Sequence, residues 1–192
     1  MTTTPSHRIP VAVLGATGSV GQRFAALLAD HPWFSVAFLA ASERSAGLPY
    51  REAVRWVQPT PLPERLGEMP VVACRPGAVG DCRLVFSALS SSVAEETEVA
   101  FAAAGCWVVS NASSHRMHPL VPLVVPEVNP DHLDLAARQR FGPGRILTNP
   151  NCSTIGLTLA LKPLVDAFGV EACHVVTMQG LSGAGLTGVP GM

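Results

Sequence analysis

Residues 149–156 read NPNCSTIG. Cys152 follows two asparagines and precedes a short polar run, after which an apolar, helix-like segment begins. A structural cysteine normally sits among apolar neighbours; this one sits where the chain turns into a helix. The thiolate is the nucleophilic form of cysteine, and a helix N-terminus stabilises an anion. The stretch is therefore either a capping turn that contains a thiol or a nucleophile with its activating helix. Cys74, Cys82, Cys106 and Cys173 fall in or beside expected strands and are read as small core residues.

A second stretch, GATGSVG at 15–21, spaces Gly15, Gly18 and Gly21 as GxxGxxG. Glycines at these positions permit a tight turn and let backbone approach a pyrophosphate, while the following helix offers its first N–H groups. The candidate cofactor contacts are Gly15, Thr17, Gly18, Ser19, Val20 and Gly21; the bland alternative is a tight turn with no ligand. The end of the next strand selects the nucleotide. An acidic residue there would hold a ribose 2′-hydroxyl. Here the strand runs into Ser42, Glu43, Arg44 and Ser45. Two hydroxyls and a guanidinium suit a 2′-phosphate, so NADP is expected at Ser42, Arg44 and Ser45. Glu43, turned inward, would favour NAD instead. A nicotinamide site beside a nucleophilic cysteine points to one chemistry: the thiolate attacks an acyl carbon, and hydride moves between cofactor and a thioester or thiohemiacetal.

The elements that must position these groups are legible from periodicity. Residues 9–14 form an apolar strand, and the glycine turn follows. Next comes a helix with Phe24, Leu27 and Leu28 on one face, then a buried strand over 34–41. Residues 43–70 read as a long excursion with one short helix. Strands are expected at 70–76, 83–89, 106–111 and 145–149. A helix over 90–105 is expected to have serines for its cap, early acidic residues for its dipole, and Gly105 as its stop. Residues 119–129 carry three prolines and read as extended and irregular; a short helix over 130–140 follows. Alternation of this kind predicts an α/β fold with a doubly wound parallel sheet, a Rossmann-type NADP-binding domain over 1–150. From Cys152 the character changes. A helix over 152–169 contains Pro163 and ends at Gly169, and a strand over 171–179 is expected. Residues 151–192 thus read as the opening of an α+β catalytic and dimerisation domain.

Bulk properties narrow the class. At 48% hydrophobic and 14% charged residues the chain suits a well-buried globular domain. A net charge of −1 gives no electrostatic basis for nucleic acid or an anionic membrane. No apolar run is long enough to span a bilayer. Five widely spaced cysteines, an odd count without a CxxC, argue against a disulfide framework and a zinc site, so the expected setting is cytoplasmic and the expected metal none. His115 and His118 lie in a proline-flanked loop and read as loop histidines.

GATGSVGQRF, NPNCSTIG and MQGLSGAG together, with ASERSAG and VPEVNP, resemble the aspartate-semialdehyde dehydrogenase family in its archaeal and fungal variety, from about residue 9 to residue 192. The resemblance implies reversible, NADP-dependent reductive dephosphorylation of L-aspartyl-4-phosphate to L-aspartate-4-semialdehyde through a cysteine thioester, on the route to lysine, threonine and methionine. Carried over by motif, Cys152 is the nucleophile, Asn151 helps hold the substrate, and Gln179 orients substrate and thiohemiacetal. The stretch NASSHR at 111–116 resembles the family's phosphate site, with Asn111 and Arg116 as ligands. Ser182, Gly183 and Gly185 would lie near the nicotinamide, and Ser87 and Ser90 would flank the cofactor. The partners so implied are a small-molecule substrate and phosphate, with no nucleic acid and no membrane, and the full-length protein would be a homodimer or homotetramer. The family's general-base histidine and its glutamate and arginine for the substrate's amino and carboxylate groups match no position here, so the isolated chain is expected to be inactive.

Two alternatives remain open at this level. Related acyl-phosphate or acyl-CoA reductases, acting on N-acetyl-glutamyl phosphate or malonyl-CoA, share the glycine loop and the cysteine. A non-catalytic nucleotide-binding fragment would share the fold alone.

Overall fold

The computed structural model describes residues 7–180. Six strands, β1 (Ile9–Leu14), β2 (Phe34–Ala41), β3 (Val71–Ala73), β4 (Leu84–Ser87), β5 (Trp107–Ser110) and β6 (Arg145–Thr148), form one sheet ordered β3-β2-β1-β4-β5-β6. Every neighbouring pair is parallel. Parallel pairs need crossovers, and these are supplied by α1 (Ser19–Leu28), short α2 (Tyr50–Ala53) and α3 (Glu64–Gly67), α4 (Ser91–Ala103) and irregular segments; α5 (Cys152–Phe168) follows β6. The order reverses between β1 and β4, so a crevice opens at the carboxyl ends of those two strands.

Both faces of the sheet are covered, which is why the strands read as apolar runs rather than alternating ones. On one face Ala12, Leu14, Val85, Phe101, Val108 and Ile146 pack together. On the other lie Val11, Val13, Ala25, Leu28, Val36, Leu39, Tyr50 and Leu66. Alternate residues of β1 divide between the two clusters, as a period of two requires. No described helix is long and apolar enough to cross a membrane.

Several expectations are corrected. The buried face of α1 is Gly21, Gln22, Ala25 and Leu28, whereas Leu27 is exposed; small residues let the helix sit close to the glycine turn. The excursion at 43–70 holds α2, α3 and a 3-10 turn over Glu43–Ser45 rather than one helix. In α4 no acidic residue falls in the first turn and Ser90 makes no side-chain cap. Glu98, in its interior, is fully buried. Residues 130–138 are 3-10 rather than α-helical. The helix expected over 152–169 is present as α5, with Pro163 inside it and Gly169 at its end.

Residues 171–179 form no strand and are exposed. A strand exists only through hydrogen bonds to a neighbour, and nothing among the described residues pairs with this segment. Cys173, read as a core residue, is exposed for the same reason.

Candidate functional site

The glycine turn is tight enough that side chains have no room. Gly15 adopts φ +71°, and a Cβ there would lie 2.7 Å from the Ala88 carbonyl oxygen. A Cβ on Gly21 would lie 2.1 Å from the Gly15 oxygen and 2.7 Å from Ala16 Cα. Gly18 differs: its Cβ would meet only the Gly15 oxygen, at 3.4 Å, so the space over its backbone is open. Gly18 caps α1 with no side-chain hydrogen bond, leaving the first-turn N–H groups available to an anion.

Residues that periodicity did not single out hold this turn from behind. The fully buried Gln22 donates from Nε2 to Thr17 O at 2.9 Å and Arg55 O at 3.0 Å, and accepts from Val57 N at 2.8 Å. Tyr50 Oη donates to Ala16 O at 2.7 Å. Burial pushes this phenol well above its ordinary pKa, so it stays a donor. The 43–70 excursion therefore fixes the loop, and a glutamine on an apolar helix face was the one signal that could have shown it.

At the same carboxyl edge, after β6, α5 begins at Cys152 because Asn151 caps it: Asn151 Oδ1 accepts from Thr154 N at 2.8 Å. Asn149 ties this turn to the 111–116 loop, its Nδ2 donating to Asn111 Oδ1 at 3.0 Å and its backbone N–H to Ser110 O at 3.2 Å. Arg116 folds back within that loop, Nη2 donating to Asn111 O at 2.8 Å. Gln179 Nε2 donates to Ser153 Oγ at 2.5 Å, beside the first turn of α5.

One cleft of about 760 Å³ joins these parts, lined by Gly18, Ser19 and Val20, by Ser90 and Ser91, and by Asn111, Arg116, Asn149, Asn151 and Cys152. In a parallel sheet every crossover helix starts at the same edge, so the N-termini of α1, α4 and α5 converge on one cavity. Three helix N-termini, the Arg116 guanidinium and the Cys152 thiol thus line one cleft, an arrangement able to hold an anion beside a nucleophile.

Other expected residues lie elsewhere. Ser42, Arg44 and Ser45 form a turn at the end of β2 and do not line the cleft. The Ala16 N–H to Ala40 O bond of 2.9 Å joins that strand end to the glycine loop. Gly15, Thr17 and Gly21 shape the loop without lining the cleft. Ser87 is fully buried, its Oγ without a partner. His115 belongs to the loop as expected but is buried rather than solvated. Ser182, Gly183 and Gly185 lie outside the described residues.

The thiols differ sharply in access. Burial pushes the Cys74, Cys82 and Cys106 thiols up, whereas Cys152 and Cys173 are exposed. Cys152, at a helix start, is expected to alkylate faster than Cys173, which begins no helix, at pH 7. Peptide mapping after limited iodoacetamide treatment measures this, and equal rates would remove the helix-end argument.

Comparison with known proteins agrees with this layout. The model of the semialdehyde dehydrogenase NAD-binding domain matches residues 10–136. An aspartate-semialdehyde dehydrogenase of Methanothermobacter thermautotrophicus is 53% identical over 187 residues, covering 96% of this chain and 54% of that protein. One from Aspergillus fumigatus is 52% identical over 185 residues, covering 94% of this chain and 51% of that protein. The chain thus spans about half the length of the curated relatives it matches. The crystal structure of the Candida albicans aspartate-semialdehyde dehydrogenase with NADP superposes with a TM-score of 0.78 at 46% identity, over 85% of this chain and 48% of that one. The chain belongs to the semialdehyde dehydrogenase family through its NAD-binding domain.

Proposed function

We propose that this chain carries the NADP-binding domain (1–150) and the opening of the catalytic domain (151–192) of an aspartate-semialdehyde dehydrogenase. The observation that carries the reading is Cys152 at the start of α5, in one cleft with Arg116 and the uncapped α1 N-terminus. The reaction is the reversible reductive dephosphorylation of L-aspartyl-4-phosphate to L-aspartate-4-semialdehyde. The names of the relatives support this acyl phosphate over N-acetyl-glutamyl phosphate and over malonyl-CoA.

The cradle suits NADP: open backbone at Gly18 for the pyrophosphate, and Ser42, Arg44 and Ser45 at the β2 end for the 2′-phosphate. When bound, the cofactor supplies or accepts hydride. The residues of this chain take the following parts. The Cys152 thiolate attacks the acyl carbon, the C–S bond forms as the C–O bond to phosphate breaks, and phosphate leaves toward Arg116 and Asn111. The α5 N-terminus stabilises the thiolate before attack and again when aldehyde is released. Asn151, whose Oδ1 is engaged as the cap, has Nδ2 to donate to substrate. Gln179, held by Ser153, orients the thiohemiacetal. Ser182, Gly183 and Gly185 belong to the nicotinamide side on this reading. The reading also carries a cytoplasmic homodimer or homotetramer.

Phosphate-dependent NADPH formation from aspartate semialdehyde by the full-length protein tests the proposal. Turnover confined to N-acetyl-glutamyl semialdehyde or malonyl-CoA would contradict it. Arg44→Ala is expected to weaken NADPH by about tenfold, the worth of one charge-assisted contact, and leave NADH nearly unchanged. Equal losses in a binding titration would remove the 2′-phosphate assignment.

A further inference from the structure

Behind the cleft wall, Glu98 of α4 is a fully buried carboxylate. A buried carboxylate costs stability unless it is paired or hydrogen-bonded, and an apolar residue would pack there more cheaply. What the acid adds is direction. Its Oε1 accepts from Ser110 Oγ at 2.6 Å, and that same hydroxyl oxygen accepts from Ala112 N at 3.1 Å. Its Oε2 stands 3.6 Å from His115 Nε2; neither atom has a hydrogen bond. One side chain thus reaches both ends of the 111–116 loop: its entry, through Ser110 and Ala112, and the residue immediately before Arg116.

The middle of the loop is held by the same helix. Ser91 and Ser113 hydroxyls lie 2.7 Å apart, and Ser114 Oγ donates to Ser91 O at 2.8 Å. Ser91 and Glu98 are seven residues apart, two helical turns, and so lie on one side of α4. Arg116 has its Nε buried without a partner, so its own fold-back bond to Asn111 does not fix the whole guanidinium.

We propose that Glu98 is the positioning residue of the anion loop: its carboxylate holds 111–116 in the conformation that turns Asn111 and Arg116 toward the cleft together. This rests on the reading of that loop as the phosphate site. Glu98 touches neither substrate nor cofactor; it acts through Ser110 and His115.

Titration of the purified chain with inorganic phosphate, followed by ³¹P line broadening, with NADPH binding measured in parallel by fluorescence, tests this. Glu98→Ala is expected to weaken phosphate by about tenfold while NADPH changes by less than about twofold. Glu98→Gln keeps an acceptor for Ser110 and is expected to recover most of the loss. Unchanged phosphate affinity in Glu98→Ala, or a parallel loss of both ligands, overturns the assignment, because general core support would move both. Where Glu98→Ala does not fold, Ser110→Ala carries the test, with the same selective loss expected and no loss overturning it. Arg116→Ala separates the two levels. If it leaves phosphate binding intact, the phosphate-site reading itself fails and the inference with it. If it abolishes binding while Glu98→Ala does not, only the positioning role fails.

Discussion

Cys152→Ser in the full-length protein is expected to lower turnover on the order of 10⁴-fold or more, the scale seen when a covalent nucleophile is removed. The expectation follows from chemistry and place. A serine hydroxyl at the same position is not ionised near neutral pH, and the α5 N-terminus cannot offset that difference with its 0.3–1 kcal/mol. The fold should be untouched, since Cys152 is exposed and Asn151 supplies the cap to Thr154. NADP affinity should therefore remain within about twofold, because the glycine loop gains nothing from the thiol. The decisive measurement is a single-turnover assay with saturating semialdehyde and phosphate beside a cofactor titration. Retention of more than about a tenth of wild-type turnover would place the covalent step on another residue.

The second large effect is expected from Gly21→Ala. The added methyl would sit 2.1 Å from the Gly15 carbonyl oxygen and 2.7 Å from Ala16 Cα, and both obstacles are backbone. Relief requires α1 to move away from the loop, which breaks the Gln22 clamp on Thr17, Arg55 and Val57. Overpacking of a tight contact costs about 1–3 kcal/mol and more where backbone must shift, so a stability loss at or above the upper end is expected. Cofactor affinity should fall by about a hundredfold, since the open backbone over Gly18 and the α1 N-terminus move together. Gly18→Ala is the comparison: its Cβ meets a single atom at 3.4 Å, so it should fold normally and lose affinity only through the side chain itself. Chemical denaturation with a parallel NADPH titration measures both. Equal stability of the two variants would mean the loop is not packed as described.

How much of this was legible differs by element. The six strands were placed to within a few residues, because each is a short apolar run between turn residues and is covered on both faces. The start of α5 at Cys152 was legible because asparagine caps are local: Asn151 reaches Thr154, three residues on. The phantom strand at 171–179 has the right composition, but pairing decides a strand and composition does not. Leu27 was assigned to the core by periodicity, yet α1 approaches the sheet through Gly21 and Ala25, where small side chains allow contact.

The sequence by itself determined the βαβ start, the parallel class, the glycine turn and the thiol at a helix beginning. Each rests on residues within one or two turns of one another, where propensity and sterics act directly. Only the tertiary structure decided which of these meet. Asn149 reaches Asn111 across 38 residues, Gln22 reaches Val57 across 35, and Tyr50 reaches Ala16 across 34. Glu98 reads from sequence as one acid among several on α4, and became a buried support only when β5 and the 111–116 loop closed over it. Such contacts follow from the strand order, which sets which loop lies beside which, and no local rule specifies that order.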